Sequence, residues 1–265
     1  MSKTLRKRTR LSSVANAMRL LRAFSDDQFD LGVSELAKRL GLAKSTVHRL
    51  ASTLVRERIL ERGARDGKYR PGLVLFELGS LVRRKMDVSA EARPHLKALM
   101  EKTGETVHLA VLDGHSVLYI NRFESRRAIR MGFGIGVRAP LHCTALGKAL
   151  LAHQPEEFVE ETIAKGLPRY TDSTITGPQV LRQELASIRA RGYAVEDQEA
   201  ESGLRSIAAA VRNDAGSVIA CLGLAGPAHR LTKKVLLSYA RELMEATDAV
   251  SQRLGYQPLQ NQKRA

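Results

Sequence analysis

The chain has 265 residues, with 43 Lys and Arg against 28 Asp and Glu, a formal net charge of +15 and a pI near 10.2; that length suggests two domains, each able to bury a core. Its two cysteines, Cys143 and Cys221, are too few for a disulfide framework, and without CxxC or HExxH spacing neither a structural metal nor another cofactor is expected. No apolar run approaches the roughly 18 residues that span a bilayer, and Arg19 and Arg22 interrupt the pattern where a signal peptide needs its apolar core, so the reading is a cytoplasmic protein with no membrane partner.

The chain opens on a basic arm, residues 1–11, in which MSKTLRKRTR carries five basic residues and no acid. The first 85 residues hold 20 Lys and Arg against 8 Asp and Glu, whereas the remaining 180 hold 23 against 20. A basic excess gathered at one end is the electrostatic footprint expected of a nucleic-acid partner.

Residues 12–72 read as a DNA-binding domain. A first helix starts with Ser12 or Ser13 as its cap and buries Val14, Ala17, Met18 and Leu21. The segment VSELAKRLGLAKSTVHRLASTL, Val33 to Leu54, then reads as two short amphipathic helices. Val33, Leu36, Ala37 and Leu40 form the first apolar face, Gly41 supplies a left-handed stop, and Val47, Leu50, Ala51 and Leu54 repeat the spacing. The opposite face of the second helix carries Lys44, Ser45, His48, Arg49 and Ser52 and no acid, the pattern of a helix that enters the major groove. Ser45, Thr46, His48 and Arg49 are the expected base readers, with Lys44 on phosphate. Ile59–Arg62 and Lys68–Arg70 then look like two strands around Ala64-Arg65-Asp66-Gly67, a wing whose Arg65 and Lys68 anchor phosphates. The whole is a winged helix-turn-helix.

Residues 73–89 read as a linker helix. Leu73, Leu75, Phe76, Leu78 and Leu81 make it more apolar than a free linker, which points to a second copy of the chain. Residues 90–255 mix helices (Glu91–Thr103, Ala145–Ala152, Glu156–Ala164, Gln179–Ala190, and a long Arg230–Leu254) with strands at Val107–Leu112, Val117–Asn121, Tyr193–Glu196, Ile207–Val211 and Val218–Leu224. The hairpins imply an α+β domain around an antiparallel sheet. Residues 256–265 read as a disordered tail.

Four stretches carry a resemblance to the IclR-type bacterial transcriptional regulators: ELAKRLGLAKSTVHRL (35–50), YRPGLVLFELG (69–79), PLHCTALGKALLA (140–152) and GYAVEDQEAESGLRSIAAAVRNDAGSVIACLGLAGPAHRLT (192–232). The resemblance covers about residues 12 to 255. It implies a winged-helix DNA-binding domain, a linker helix and a GAF-like effector domain. It also implies a homodimer or dimer of dimers on a pseudo-palindromic operator, with repression favoured over activation and RNA polymerase admitted as a partner. The family's ligands are mostly small organic acids, and the positions matching its pocket are Met131, Ala145, Leu146, Glu196, Ser206, Gly223 and Ala225. Thr144 opens the same helix, where free N–H groups suit a carboxylate.

The departures shape the expected ligand. Glu196 stands where many members have Asp, Ser206 where many have Cys, and Ala210 where Pro is common. Gly223 and Ala225 replace serines of some glyoxylate-type sensors. Two lost hydroxyls remove donors and leave room, so the expected effector is an aromatic or larger aliphatic carboxylate. Two other classes stay open: a non-specific, nucleoid-type DNA binder, and an enzyme with an accessory DNA-binding domain. For the enzyme, Glu196, Asp197 and Glu199 form a carboxylate cluster, but no nucleophile accompanies it; His142 and Cys143, as neighbours on a strand, would face opposite ways. Gly132, Gly134 and Gly136 fall short of a nucleotide-binding fingerprint.

Overall fold

The computed structural model describes residues 13–25, 27–64, 66–84, 87–127 and 133–257. The basic arm, the Ser12 cap, Arg65, Met131, Gly132 and residues 258–265 of the expected tail lie outside the described residues. The chain divides between Lys85 and Met86 into two units.

The first unit contains α1 (Ser13–Leu21), α2 (Val33–Leu40), α3 (Lys44–Arg56), the hairpin β1 (Leu60–Arg62) and β2 (Tyr69–Pro71), and α4 (Leu73–Arg84). Its core is Leu20, Leu31, Leu36, Ala37, Leu40, Val47, Leu50, Ala51, Leu60 and Tyr69. Each large side chain there contributes about 1.5–3 kcal/mol by leaving water. The α2–α3 turn is tight because Gly41 adopts φ 65°, which costs a glycine little, and its N–H closes on the Ala37 carbonyl. Glu35 accepts from the Gly32 N–H at 2.7 Å and so caps the start of α2. Two arginines tie the helices together: Arg19 donates to the Leu40 carbonyl and Arg39 to that of Ala23. Leu31 exchanges backbone hydrogen bonds with Tyr69, which fastens the hairpin to the segment before α2.

The second unit contains α5 (Asp87–Thr103), β3 (Thr106–Asp113), β4 (Ser116–Phe123), β5 (Arg138–Pro140), α6 (Ala145–Leu151), α7 (Glu156–Ala164), α8 (Pro178–Arg191), β6 (Tyr193–Asp197), β7 (Leu204–Arg212), β8 (Val218–Pro227), α9 (Lys233–Ser238) and α10 (Ala240–Arg253). The six strands form one antiparallel sheet in the order β5-β4-β3-β8-β7-β6. Strand alternation sorts side chains to its two faces. Leu109, Ile207, Leu222 and Leu224 pack with α5, α9 and α10, while Ala110, Ala208 and Cys221 pack with α6 and α8.

Two expected elements differ, and so does the buried face of α1, where Val14 and Met18 are exposed and Leu20 is fully buried. The helix expected from Glu91 begins at Asp87, and Val88 and Ser89 are buried, so residues 87–89 pack with this unit's core instead of extending the linker. The long helix expected over Arg230–Leu254 is two. Arg230 and Leu231 turn back on the Pro227 carbonyl, Thr232 caps α9, and Tyr239, at ψ −5° with its N–H on the Leu236 carbonyl, tightens the chain before α10.

Candidate functional site

In the first unit, burial of Val47, Leu50 and Ala51 turns the other side of α3 outward. Lys44, Ser45, His48, Arg49 and Ser52 are exposed, and Thr46 is half-buried. No acid occurs in α3, and Lys44, His48 and Arg49 form no ion pair among the described residues. Their donors therefore face solvent on one acid-free strip, as groove and phosphate contacts require.

The wing is less basic in effect than its sequence suggests. Arg62 donates to the Gly67 carbonyl and lies over the Tyr69 ring. Arg70 pairs with Asp30 at 2.8 Å. Of the four basic residues there, Arg62 and Arg70 hold the hairpin in place, and Lys68 forms no ion pair among the described residues.

The second unit contains a narrow cavity of about 20 Å³ between the sheet and α6. Its floor comes from two alternate rungs on the same face of the sheet. One runs Glu196–Ser206–Ala225–Thr106 across β6, β7, β8 and β3, and the other runs Ala194–Ala208–Gly223–His108. Residues opposite one another in antiparallel pairs share a face, so Glu196, Ser206, Ala225, Gly223 and His108 all look toward α6. Thr144, Ala145 and Leu146, at the start of α6, form the roof. The structure thus brings seven of the eight expected pocket residues to one cavity, and Met131 lies outside the described residues. It adds His108, Tyr119, Phe133 and Leu204, which sequence reasoning missed. A histidine at an inward strand position was the available signal.

The polar groups of this cavity are largely committed to one another. Glu196 is fully buried; it accepts from the Glu199 and Ala200 N–H groups at 2.9 and 3.3 Å and from the Ser206 hydroxyl at 2.8 Å. Burial nevertheless outweighs these donors and pushes its carboxyl up to about 7. Thr144 donates to the Pro140 carbonyl and accepts from the Gly147 N–H, so its hydroxyl fixes the helix start. His108 is pushed down to about 3 by burial and by Arg122. It is therefore neutral, and since the Phe133 carbonyl can only accept, Nε2 carries the proton and Nδ1 is left as an acceptor. Its ring meets Tyr119 edge-on, and burial holds the Tyr119 phenol protonated. Among the described residues, no Lys or Arg lines the cavity.

Gly223 matters for close approach. A Cβ there would lie 2.9 Å from the Ile207 carbonyl oxygen and 3.2 Å from Leu146 Cδ2. The room expected from the missing serine hydroxyl is already filled by Leu146.

The carboxylate cluster is structural. Asp197 pairs with Arg205 and Lys233, which hold it below its ordinary value despite burial. Glu199 pairs at 2.5 Å with Lys148, itself 1 % exposed. His142 and Cys143 lie in a turn and not on a strand; His142 Nε2 meets the Pro168 carbonyl, and burial lifts the Cys143 thiol to about 12. Cys221 is likewise buried and raised. Such thiols stay protonated and unreactive. Among the described residues no group of three His, Cys, Asp or Glu could hold a metal ion, and no helix is long and apolar enough to cross a membrane.

Two family models match this chain: the IclR helix-turn-helix domain over residues 13–64 and the C-terminal domain of the bacterial transcriptional regulator IclR over residues 81–252. The HTH-type transcriptional regulator BhcR of Paracoccus denitrificans is 37% identical over 222 residues, covering 83% of this chain and 80% of that protein. The transcriptional repressor IclR of Escherichia coli is 32% identical, covering 91% of this chain and 89% of that protein. Among solved structures, an IclR homologue from Microbacterium hydrocarbonoxydans complexed with 4-hydroxybenzoate superposes with a TM-score of 0.82 at 32% identity, covering 92% of this chain and 99% of that one.

Proposed function

Since this chain belongs to the IclR family of DNA-binding bacterial transcriptional regulators, we propose that it represses a promoter from a pseudo-palindromic operator and releases or remodels that complex when a small carboxylate enters the α6 cavity. The observation that carries the reading is that cavity: a narrow pocket with a few converging polar groups in a chain whose other unit presents an acid-free reading helix.

Ser45, Thr46, His48 and Arg49 read bases, Lys44, Ser52 and Lys68 meet phosphates or base edges, and the wing tip assists through Arg65. Tyr119, Phe133, Leu146 and Leu204 favour an aromatic or bulky aliphatic acid, and a solved relative carries 4-hydroxybenzoate. With no cation among the described residues of the wall, the carboxylate relies on N–H and hydroxyl donors, and the first-turn N–H groups of Ala145 and Leu146 fall within reach of the cavity. The narrow cavity admits a ring as Leu146 or Phe133 gives way. Residues 1–11 and 12–72 serve as basic arm and DNA-binding domain, the linker runs from 73 to the start of α5, and the effector domain from Asp87 to 255. Leu73, Phe76, Leu78, Leu81 and Val82 on α4 are each more than half exposed, which supports a homodimer sealed along that helix. The engaged carboxylates favour a regulator with no catalytic activity; RNA polymerase contact belongs to an activating mode of the same scheme.

The test is binding of the full chain to DNA upstream of its own gene, against random DNA at fixed salt, with 4-hydroxybenzoate, glyoxylate and a panel of other acids. Sequence-preferring binding altered by an aromatic acid supports the proposal. Indifference to sequence and to every acid makes the protein a nucleoid-type binder, and a response to glyoxylate alone overturns the ligand class.

A further inference from the structure

A second pocket in the effector unit lies away from the α6 cavity. It is open, about 590 Å³, and is framed by the C-terminal end of α6, the start of α7, the last turns of α8 and the β7–β8 turn. Arg189 and Arg212 both line it. Each is fixed by one hydrogen bond to a carbonyl: Arg189 Nη1 to Ala152 at 2.8 Å and Arg212 Nη1 to Gly216 at 2.9 Å. Each guanidinium keeps most of its five donors. Arg182, Arg191, Arg205 and Arg230 have carboxylate partners, whereas Arg189 and Arg212 have none within ion-pair distance among the described residues.

His153 completes the wall. Its Nδ1 meets the Ala149 carbonyl at 3.0 Å and so carries the hydrogen, which leaves Nε2 as an acceptor. Burial holds the imidazole below its ordinary value against the pull of that bond, and the charges of Arg212 and Arg189 add to the depression. Two acids lie nearby. Glu156 at the rim interacts with Glu160 and Arg182, and Asp248 on α10 feels Arg212. The pocket thus holds two preset guanidinium groups and a neutral imidazole, a charge arrangement that an oxyanion would neutralise.

We propose that this pocket is a second ligand site, independent of the effector cavity, that takes a dianionic oxyanion of the phosphate-monoester class between Arg189 and Arg212, with His153 Nε2 as a third contact. Planar guanidinium groups grip such an oxyanion bidentately. The bound anion would offset the share of the depression that Arg212 and Arg189 add to burial and would itself attract a proton, so the imidazole protonates and donates to the ligand. The effector cavity meets the first residues of α6 and this pocket meets its end, so one short buried helix forms part of both walls.

The experiment is a histidine-resolved NMR titration of the full chain with inorganic phosphate, against chloride at matched ionic strength, with His153→Asn assigning the signal. The expected result is saturable binding that raises the His153 pKa by about one unit. Arg189→Gln and Arg212→Gln should each weaken it by about tenfold or more. Arg189 is exposed and its replacement spares the core, so it decides the matter even if Arg212→Gln fails to fold. A response that does not saturate, that chloride reproduces, or that Arg189→Gln leaves unchanged would overturn the site. Because the readout is phosphate at His153, the result does not depend on which acid, if any, enters the α6 cavity.

Discussion

Glu196 on β6 and Ser206 on β7 stand directly opposite each other, and the Ser206 hydroxyl donates to Glu196 Oε2 at 2.8 Å. With its other oxygen held by two backbone N–H groups, the carboxyl cannot turn away from the cavity wall. Its ionisation is therefore written into the stability of the domain.

Stability should fall as pH rises across the interval between the ordinary glutamate value of 4.5 and the folded value of about 7. In that interval the folded state keeps a proton that the unfolded state has lost, so raising pH favours unfolding, and the cost levels off above about 7. A shift of that size corresponds to roughly 3 kcal/mol in total. In Glu196→Gln the carbonyl accepts from the Glu199 and Ala200 N–H groups and the NH2 donates to Ser206. Thermal melts of the variant should show a flatter pH profile than wild type, and equal slopes would mean that Glu196 does not hold the proton.

Carboxylate binding should carry the same proton. An acid entering the cavity, which has no cation among its described residues, meets less repulsion when Glu196 is neutral. Calorimetric affinity for 4-hydroxybenzoate should weaken by up to about tenfold per pH unit above 7. Glu196→Gln should hold the low-pH affinity throughout. Wild-type binding that does not change between pH 6 and 8 would count against a carboxylate beside Glu196.

Gly223→Ser tests the close approach of β8 to α6. Its Cβ needs the Ile207 carbonyl and Leu146 to give way, at a cost of about 1–3 kcal/mol. Adding Leu146→Ala should recover part of that loss if Leu146 is the main obstruction. Failure of the double variant to recover any stability would place the clash in the sheet backbone.

Breaking the buried pair of Lys148 and Glu199 should be costly. Lys148→Met strands Glu199 and leaves Glu184 without its nearby ammonium, for about 3–5 kcal/mol. Lys148→Met with Glu199→Gln should be milder than the single change by denaturant melts. Equal damage would mean that packing of the lysine stem dominates.

On DNA, Arg49→Ala should cost about 1–3 kcal/mol and relax preference at one base position. Lys68→Ala should weaken all sequences alike and lower the salt slope by about one. A uniform loss for Arg49→Ala would reassign it to phosphate.

The reading helix was legible because its signal is local: apolar residues at helical spacing, one glycine and a face without acids. The floor of the cavity was not legible from spacing, since Glu196, Ser206, Gly223 and His108 meet only through pairing of strands distant in sequence. Resemblance supplied the first three. His108 offered only its polar ring at an inward strand position, and Tyr119 sits in an apolar strand run where nothing local separates a wall residue from core. The commitments of Glu196 were equally hidden, because two of its donors are backbone N–H groups. The split of α9 from α10 turns on the backbone of Tyr239, in a run whose residues all suit a helix. On the wing, the count of basic residues overstated what is free, since Arg62 and Arg70 spend their charge within the hairpin.

The pairing of β3 with β8, through Thr106 opposite Ala225 and His108 opposite Gly223, also sets an order of events during synthesis. The reading helix leaves the ribosome early, while β3 and β4 await the strand that will join them to β7. The floor residues beyond β4 arrive after α8, and a chain cut short before β8 carries the apparatus for finding DNA but lacks Gly223 and Ala225, so β3 and β7 have no strand between them and the cavity floor stays unclosed. Premature termination in this part of the message should therefore yield fragments deaf to effector, whose danger to the cell lies in occupying operators, and domain-by-domain folding from the N-terminus makes such fragments the expected product of stalled translation.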